Sequence, residues 1–348
     1  MKTKRIYIDQ TNPDLKLLAE AADLLHSGEV VAFPTETVYG LGANALDARA
    51  CAKIFEIKGR PPDNPLIVHV SNRTIADTVI ASWNEAAEIC MRTFWPGPLT
   101  LVLPKKALVP AVVTGGLETV AIRMPRHPVA LALIELTGLP IAAPSANISG
   151  KPSPTSGEHV WQDLQGRIKL IIDAGRCQVG LESTVLDLSG QIPTILRPGG
   201  VTREELQKVL GEVEVDQPAP RQAPKAPGMK YRHYAPNGEL LLILGPSERV
   251  IARILTETRK AQANSQKVAI LCTAESAPLL ESGRPDLLFV LGSQKLPEEV
   301  GVNLFQGLRL CDEQGIEVIL AEGVEESGLG MAIMNRLQKA AGQKIIRV

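Results

Sequence analysis

Aromatic residues make up only 3% of the sequence, too few for a surface on which successive bases could stack. Neither sign of charge is in excess. Lys+Arg 37 against Asp+Glu 38 leaves a formal net charge of -1, so no global field draws nucleic acid or an anionic membrane. The five cysteines (Cys51, Cys90, Cys177, Cys272 and Cys311) are dispersed and form no CxxC pair. That count suits reduced thiols better than a zinc site or a disulfide framework. No apolar run approaches ~20 residues, so nothing is expected to span a membrane. Met1-Lys-Thr-Lys-Arg5 is followed by polar Asp9-Gln-Thr-Asn12 rather than by the apolar core of a signal peptide, and a soluble cytoplasmic protein is expected. The nucleotide-binding patterns GxGxxG and GxxxxGKS/T do not occur.

What is present is enough apolar residue, 45% over 348 positions, for two domains with their own cores. The organising stretch runs from Lys53 to Val70. Ile54, Phe55 and Ile57 have helical spacing, the Pro61-Pro62 pair must end that helix, and Leu66 to Val70 reads as a short buried strand. Lys58 and Arg60 then sit on a stiff turn, with Asn64 and His69 close behind. Such a turn can grip carboxylate or phosphate; basic residues also favour helix C-termini for their dipole alone.

Around it, Asn12-Pro13 is expected to open a helix with Leu15, Leu18, Ala22 and Leu25 on one face. Helical patterns cover 75–81, 86–94 and 129–136, and strands are expected at 30–33, 99–103, 120–124, 141–143, 170–173 and 184–188. Pro34 to Gly42 is a turn dense in hydroxyls and glycine, which a ligand can approach closely or which simply satisfies its own backbone. Arg123 interrupts an apolar strand and needs an anionic partner, either a carboxylate from a neighbouring strand or one on a substrate. Pro144 to Thr155 gathers small hydroxyl and amide groups after a strand end, where ligands of open α/β sheets sit; the same residues also dominate ordinary turns. Ile195-Leu-Arg197-Pro198 adds a further arginine, and Thr202 with Glu205 forms a capping box.

Residues 216 to 236 are rich in proline and read as an extended linker, although Lys230, Tyr231, Arg232 and Tyr234 are unusual in a plain spacer. Beyond it, strands at 239–244, 267–271, 287–291 and 317–320 alternate with helices at about 247–263, 300–312 and 330–341. That alternation predicts a parallel sheet with helices on both faces. Gly245-Pro246-Ser247 reads as a helix cap. The expected domains are 1–215, a linker 216–236, and 237–348.

Six fragments occur in order within the first two hundred residues: PTETVYGLG, KxRPxxNPLIVHV, VAIRMP, APSANISG followed by SPT, GLESTV and LRPG. Together they resemble the YrdC-like domain of the threonylcarbamoyl-AMP synthase family, and the PGMKYRHYAP segment resembles the connector that closes over the nucleotide in its long members. The resemblance implies a twisted open α/β sheet domain followed by a smaller Rossmann-like three-layer domain. It implies condensation of L-threonine, bicarbonate and ATP to threonylcarbamoyl-AMP with release of pyrophosphate, the first step towards threonylcarbamoyladenosine in tRNA. Thr37, His69, Arg123, the backbone of Ala143, and Ser183 would contact threonine. Lys58 and Arg60 would act on carbamate and phosphates, and Arg60, Asn64, Thr119, Ser145, Ser153, Arg197 and Tyr234 would contact ATP. Mg2+ would be held by ATP phosphates and water rather than by protein ligands. The product would pass to a tRNA threonylcarbamoyl transferase complex. Two other classes share the fold: modules that bind double-stranded RNA or tRNA on a concave surface, and carbamoyl transferases of hydrogenase maturation. The latter carry zinc fingers that this chain has no CxxC to build.

Overall fold

A computed structural model describes residues 1–216, 233–342 and 344–348. The chain divides into two compact units. The first comprises Met1–Ser149, Ser153–Gln178 and Glu182–Tyr231, and the second Gly150–Pro152, Val179–Leu181 and Arg232–Val348. Most of the expected linker, residues 217 to 232, lies outside the described residues, and with it the expectation that this segment lies over a ligand.

The strands of the first unit are β1 (Lys4–Tyr7), β2 (Val31–Phe33), β3 (Gly40–Asn44), β4 (Ile67–His69), β5 (Leu99–Pro104), β6 (Thr119–Arg123), β7 (Ile141–Ala142), β8 (Leu170–Asp173), β9 (Thr184–Asp187), β10 (Thr194–Arg197) and β11 (Glu214–Val215). Among the described residues they form one mixed sheet in the order β1-β8-β2-β3-β7-β4-β6-β5-β9-β10-β11. The middle strands are buried and read as continuous apolar runs rather than alternating ones. The first helix, Leu15–His26, starts later than expected. Its N-cap is Asp14, whose carboxylate accepts from Lys16 N, so Asn12-Pro13 lies outside the helix. Leu18, Ala21, Ala22 and Leu25 face the core, while Leu15 is exposed. The expected helix at 75–81 is a single turn, Arg73–Ala76, capped by Asn72. The capping box of Thr202 and Glu205 is present at the start of Arg203–Leu210.

The hydroxyl-rich turn is shorter than the sequence suggests, because Gly40–Asn44 is strand β3. A Cβ on Gly42 would stand 2.6 Å from Phe33 Cε1 and 2.8 Å from Ile141 Cγ2. This glycine admits its neighbours in the core rather than a ligand.

The second unit holds β12 (Glu239–Leu244), β13 (Val268–Thr273), β14 (Leu287–Gly292), β15 (Val318–Glu322) and β16 (Ile345–Arg347), in the order β14-β13-β15-β12-β16. Every pairing in it is parallel, and the helices Ser247–Ala263, Pro297–Glu313 and Gly330–Ala341 alternate with the strands. The predicted three-layer α/β architecture is found, with one strand more than expected: β16 adds to the free edge of β12. Pro246 caps the first of these helices. Tyr234 belongs to this unit, buried, with φ +63. Its ring lies 5.2 Å from that of Phe305, and the Arg336 guanidinium stands 5.5 Å over it.

Candidate active site

The cationic turn forms as the residues dictate. Helix Ala48–Lys58 is capped at its start by Asp47 and ends at Gly59, which takes the left-handed conformation with φ +60, two residues ahead of the proline pair. Lys58, 2% exposed, closes that helix and reaches across to the loop after β7. Its Nζ donates to Ser145 O and Asn147 O, each at 2.5 Å, and approaches Asn147 Oδ1 at 3.4 Å. Arg60 folds back on its own turn, donating from Nη2 to Asn64 O at 3.2 Å and Pro65 O at 3.0 Å. Asn64 is 1% exposed, yet neither end of its side-chain amide has a hydrogen-bond partner. A buried amide left in that state costs free energy unless a ligand completes it.

The β4–β6 pairing sets His69 beside Arg123. Burial first, and the Arg123 charge second, lower the His69 pKa to about 3, so its ring is neutral. Nδ1 has no partner. Arg123, 3% exposed, donates through Nε to Gly97 O at 3.1 Å and through Nη1 to Thr37 Oγ1 at 2.9 Å. Its Nη2 stands 2.6 Å from Glu36 Oε2. The anion that Arg123 requires is thus supplied, at least on this edge, by the protein's own carboxylate. The turn bearing Glu36 and Thr37 is pinned by Tyr39, whose N–H donates to Pro154 O at 2.9 Å and whose hydroxyl donates to Gly175 O at 2.7 Å.

On the other flank, Ser183 Oγ lies 2.8 Å from Thr100 Oγ1, and Arg197 Nη2 donates to Ser183 O at 2.9 Å and Ser183 Oγ at 3.2 Å. Ala143 N donates to Ile67 O at 2.8 Å, which locks β7 against β4. Ser145 Oγ donates to Asn147 Oδ1 at 2.6 Å, and Ser153 Oγ to Glu182 Oε1 at 2.5 Å.

Four groupings of the predicted site residues therefore meet directly: Thr37 with Arg123, His69 with Arg123 across the ladder, Lys58 with Ser145, and Ser183 with Arg197. Thr119 stands apart at the other end of β6, about 13 Å from Arg123 at the usual rise of ~3.3 Å per residue. Tyr234 is in the second unit. Sequence reasoning passed over Glu36, Asn147 and Glu182. The signal for Glu36 was available: a carboxylate inside a turn of small hydroxyls, in a chain with a strand arginine that lacked an anion. Chemically the site offers buried cations, hydroxyls and amides, and among the described residues they form no nucleophile–base pair. Among the described residues no three His, Cys, Asp or Glu side chains gather as a metal site. No helix there is long and apolar enough to cross a membrane.

Comparison with known proteins also divides the chain in two, at residue 200, so that the second family model takes in residues 201–231 of the first compact unit. The profile of the Sua5, YciO and YrdC family, described as telomere recombination, matches residues 23–199, and that of the threonylcarbamoyl-AMP synthase C-terminal domain matches residues 201–342. The threonylcarbamoyl-AMP synthase of Pyrococcus abyssi is 52% identical over 331 residues, covering 94% of this chain and 95% of that protein. The Bacillus subtilis protein of the same name is 49% identical over 354 residues and covers both chains fully, 100% each. The crystal structure of P. abyssi Sua5 complexed with L-threonine superposes with a TM-score of 0.94 at 50% identity, covering 99% of this chain and 100% of that one.

Proposed function

We propose, on the premise that this chain belongs to the threonylcarbamoyl-AMP synthase family, that it condenses L-threonine, bicarbonate and ATP into L-threonylcarbamoyl-AMP and releases pyrophosphate. The observation that carries the reading is the buried set of His69, Arg123 and Thr37 beside the cationic turn of Lys58 and Arg60. A solved relative with the same fold was crystallised with L-threonine.

In this reading the threonine nitrogen bonds to the bicarbonate carbon as a C–O bond breaks and water leaves, and the resulting carbamate presents an oxygen to the α-phosphorus of ATP. A P–O bond forms there as the bond to pyrophosphate breaks. No protein nucleophile is needed, because such transfer depends on positioning and on charge stabilisation. Thr37, His69, Arg123, the Ala143 backbone and Ser183 hold threonine. Lys58 and Arg60 face the carbamate and the phosphates, Lys58 also fixing the loop that carries Ser145. Asn64, Thr119, Ser145, Ser153 and Arg197 receive ATP, the unpaired Asn64 amide being suited to both a donor and an acceptor. Tyr234 keeps its ATP role on the resemblance alone. Magnesium enters as the counter-ion of ATP and no protein ligand is assigned to it. The product, a reactive mixed anhydride, then passes in the cytoplasm to the enzyme system that modifies tRNA.

Pyrophosphate release from ATP, with L-threonine and bicarbonate omitted in turn, tests the reading. Release that needs both is expected. Release that needs neither marks an ATP hydrolase and removes the threonine roles of Thr37, His69 and Arg123.

A further inference from the structure

Glu36 is fully buried at 0% exposure. Its Oε2 lies 2.6 Å from Arg123 Nη2 but off the line of the N–H bonds, so that contact is ionic, and Oε1 has no partner. Thr35 on one side and Thr37 on the other fix the hydrogen-bond direction of this wall. Thr35 Oγ1 donates its only hydrogen to Val38 O at 2.7 Å. The 2.8 Å contact between Thr35 Oγ1 and Thr37 Oγ1 is therefore a donation from Thr37. Thr37 has then spent its own hydrogen, and it accepts from Arg123 Nη1 at 2.9 Å. The side chains of residues 36 and 37 thus have lone pairs to offer and no hydrogen.

Two other groups face Glu36. His127, before helix Pro128–Thr137, is held neutral by burial, with a pKa near 4 that the Glu36 charge raises only in part. The Cys177 thiol is pushed up by burial and by Glu36. Neither supplies a cation. Arg123 balances the charge on Oε2, and the unpartnered Oε1 beside the remaining Thr37 lone pair suits a group rich in N–H bonds. Of the groups on an α-amino acid, the ammonium fits best.

We propose, building on the synthase reading above, that Glu36 positions Arg123 and receives the ammonium group of L-threonine on Oε1. The amino acid is thereby oriented with its nitrogen toward residues 36 and 37 and its carboxylate away from them. Glu36 is a positioning and substrate-orienting residue; it takes no part in bond making.

The test is titration calorimetry of the full chain with L-threonine, alongside KM values for threonine and for ATP, in Glu36→Gln and Glu36→Asp. Losing one charged hydrogen bond to the ligand should weaken threonine by about ten- to hundredfold in Glu36→Gln while ATP stays within about twofold. Glu36→Asp, which keeps the charge but withdraws it by one methylene, should fall between Glu36→Gln and the unaltered protein, and it carries the test should Glu36→Gln fail to fold. Unchanged threonine affinity overturns the proposal. So does an equal loss for threonine and ATP, which is the mark of an ion pair that only supports the fold. An unaltered protein that binds no threonine at all overturns the synthase reading instead, whatever the variants do.

Discussion

Lys58→Ala is expected to lower stability and activity together, by amounts that can be separated. Lys58 is 2% exposed and its ammonium donates to Ser145 O and Asn147 O at 2.5 Å. Removing it leaves the buried Asn147 carbonyl and the part-buried Ser145 carbonyl without their charged donor. Each such bond is worth roughly 1.5–3 kcal/mol, so a total of about 3–6 kcal/mol is expected for the two. For a unit of this size each kcal/mol shifts Tm by about 2–4 °C, which places the transition of the first unit about 6–24 °C lower. Activity should fall further, by ~10²–10³ in kcat, if the same ammonium also meets developing negative charge. The assays are thermal unfolding followed by circular dichroism, and pyrophosphate release well below the variant's transition. A Tm within about 2 °C of the unaltered protein would refute the tether. Full activity in a destabilised variant would leave the tether standing and remove the catalytic role.

Gly42→Ala should destabilise by about 1–3 kcal/mol, because the new methyl overlaps Phe33 and Ile141; an unchanged urea midpoint would contradict this. His127 has its folded pKa lowered from 6.5 to about 4, chiefly by burial. The unfolded chain binds the extra proton between those values, so stability rises with pH across that window and is flat above it. His127→Gln should therefore lose about 2 kcal/mol less than the unaltered protein on going from pH 7.5 to pH 5, measured by urea unfolding. Equal losses in the two proteins would show that His127 does not titrate there.

Features specified by neighbours in sequence were legible in advance, and those specified at long range were not. The apolar runs Leu240–Leu244 and Val268–Leu271 announce buried parallel strands because burial on both faces leaves no alternation to misread. Strand β16 is not legible in the sequence: it has two half-buried residues and one exposed residue at a sheet edge and forms through pairing with β12, about a hundred positions earlier. The helix Gly157–Leu164, capped by Ser156, was hidden behind a run of serine and proline that reads as loop. At the site the cations stood out, since a lysine before two prolines and an arginine inside an apolar strand both demand explanation. Their partners did not. Thr37 lies 86 positions from Arg123 and Ser145 lies 87 from Lys58, and no local pattern encodes such pairings.

The relay from Arg123 through Thr37 and Thr35 to the Val38 carbonyl has a thermal consequence. Hydroxyl groups in an open pocket usually rotate, and a ligand that captures them gives up part of its binding free energy to stop that rotation. Here both rotors are already stopped by the protein itself, each hydrogen committed to a neighbour. The ordering was completed when the chain folded. An amino acid arriving at this wall meets lone pairs with fixed directions, and the entropy it surrenders is mainly its own.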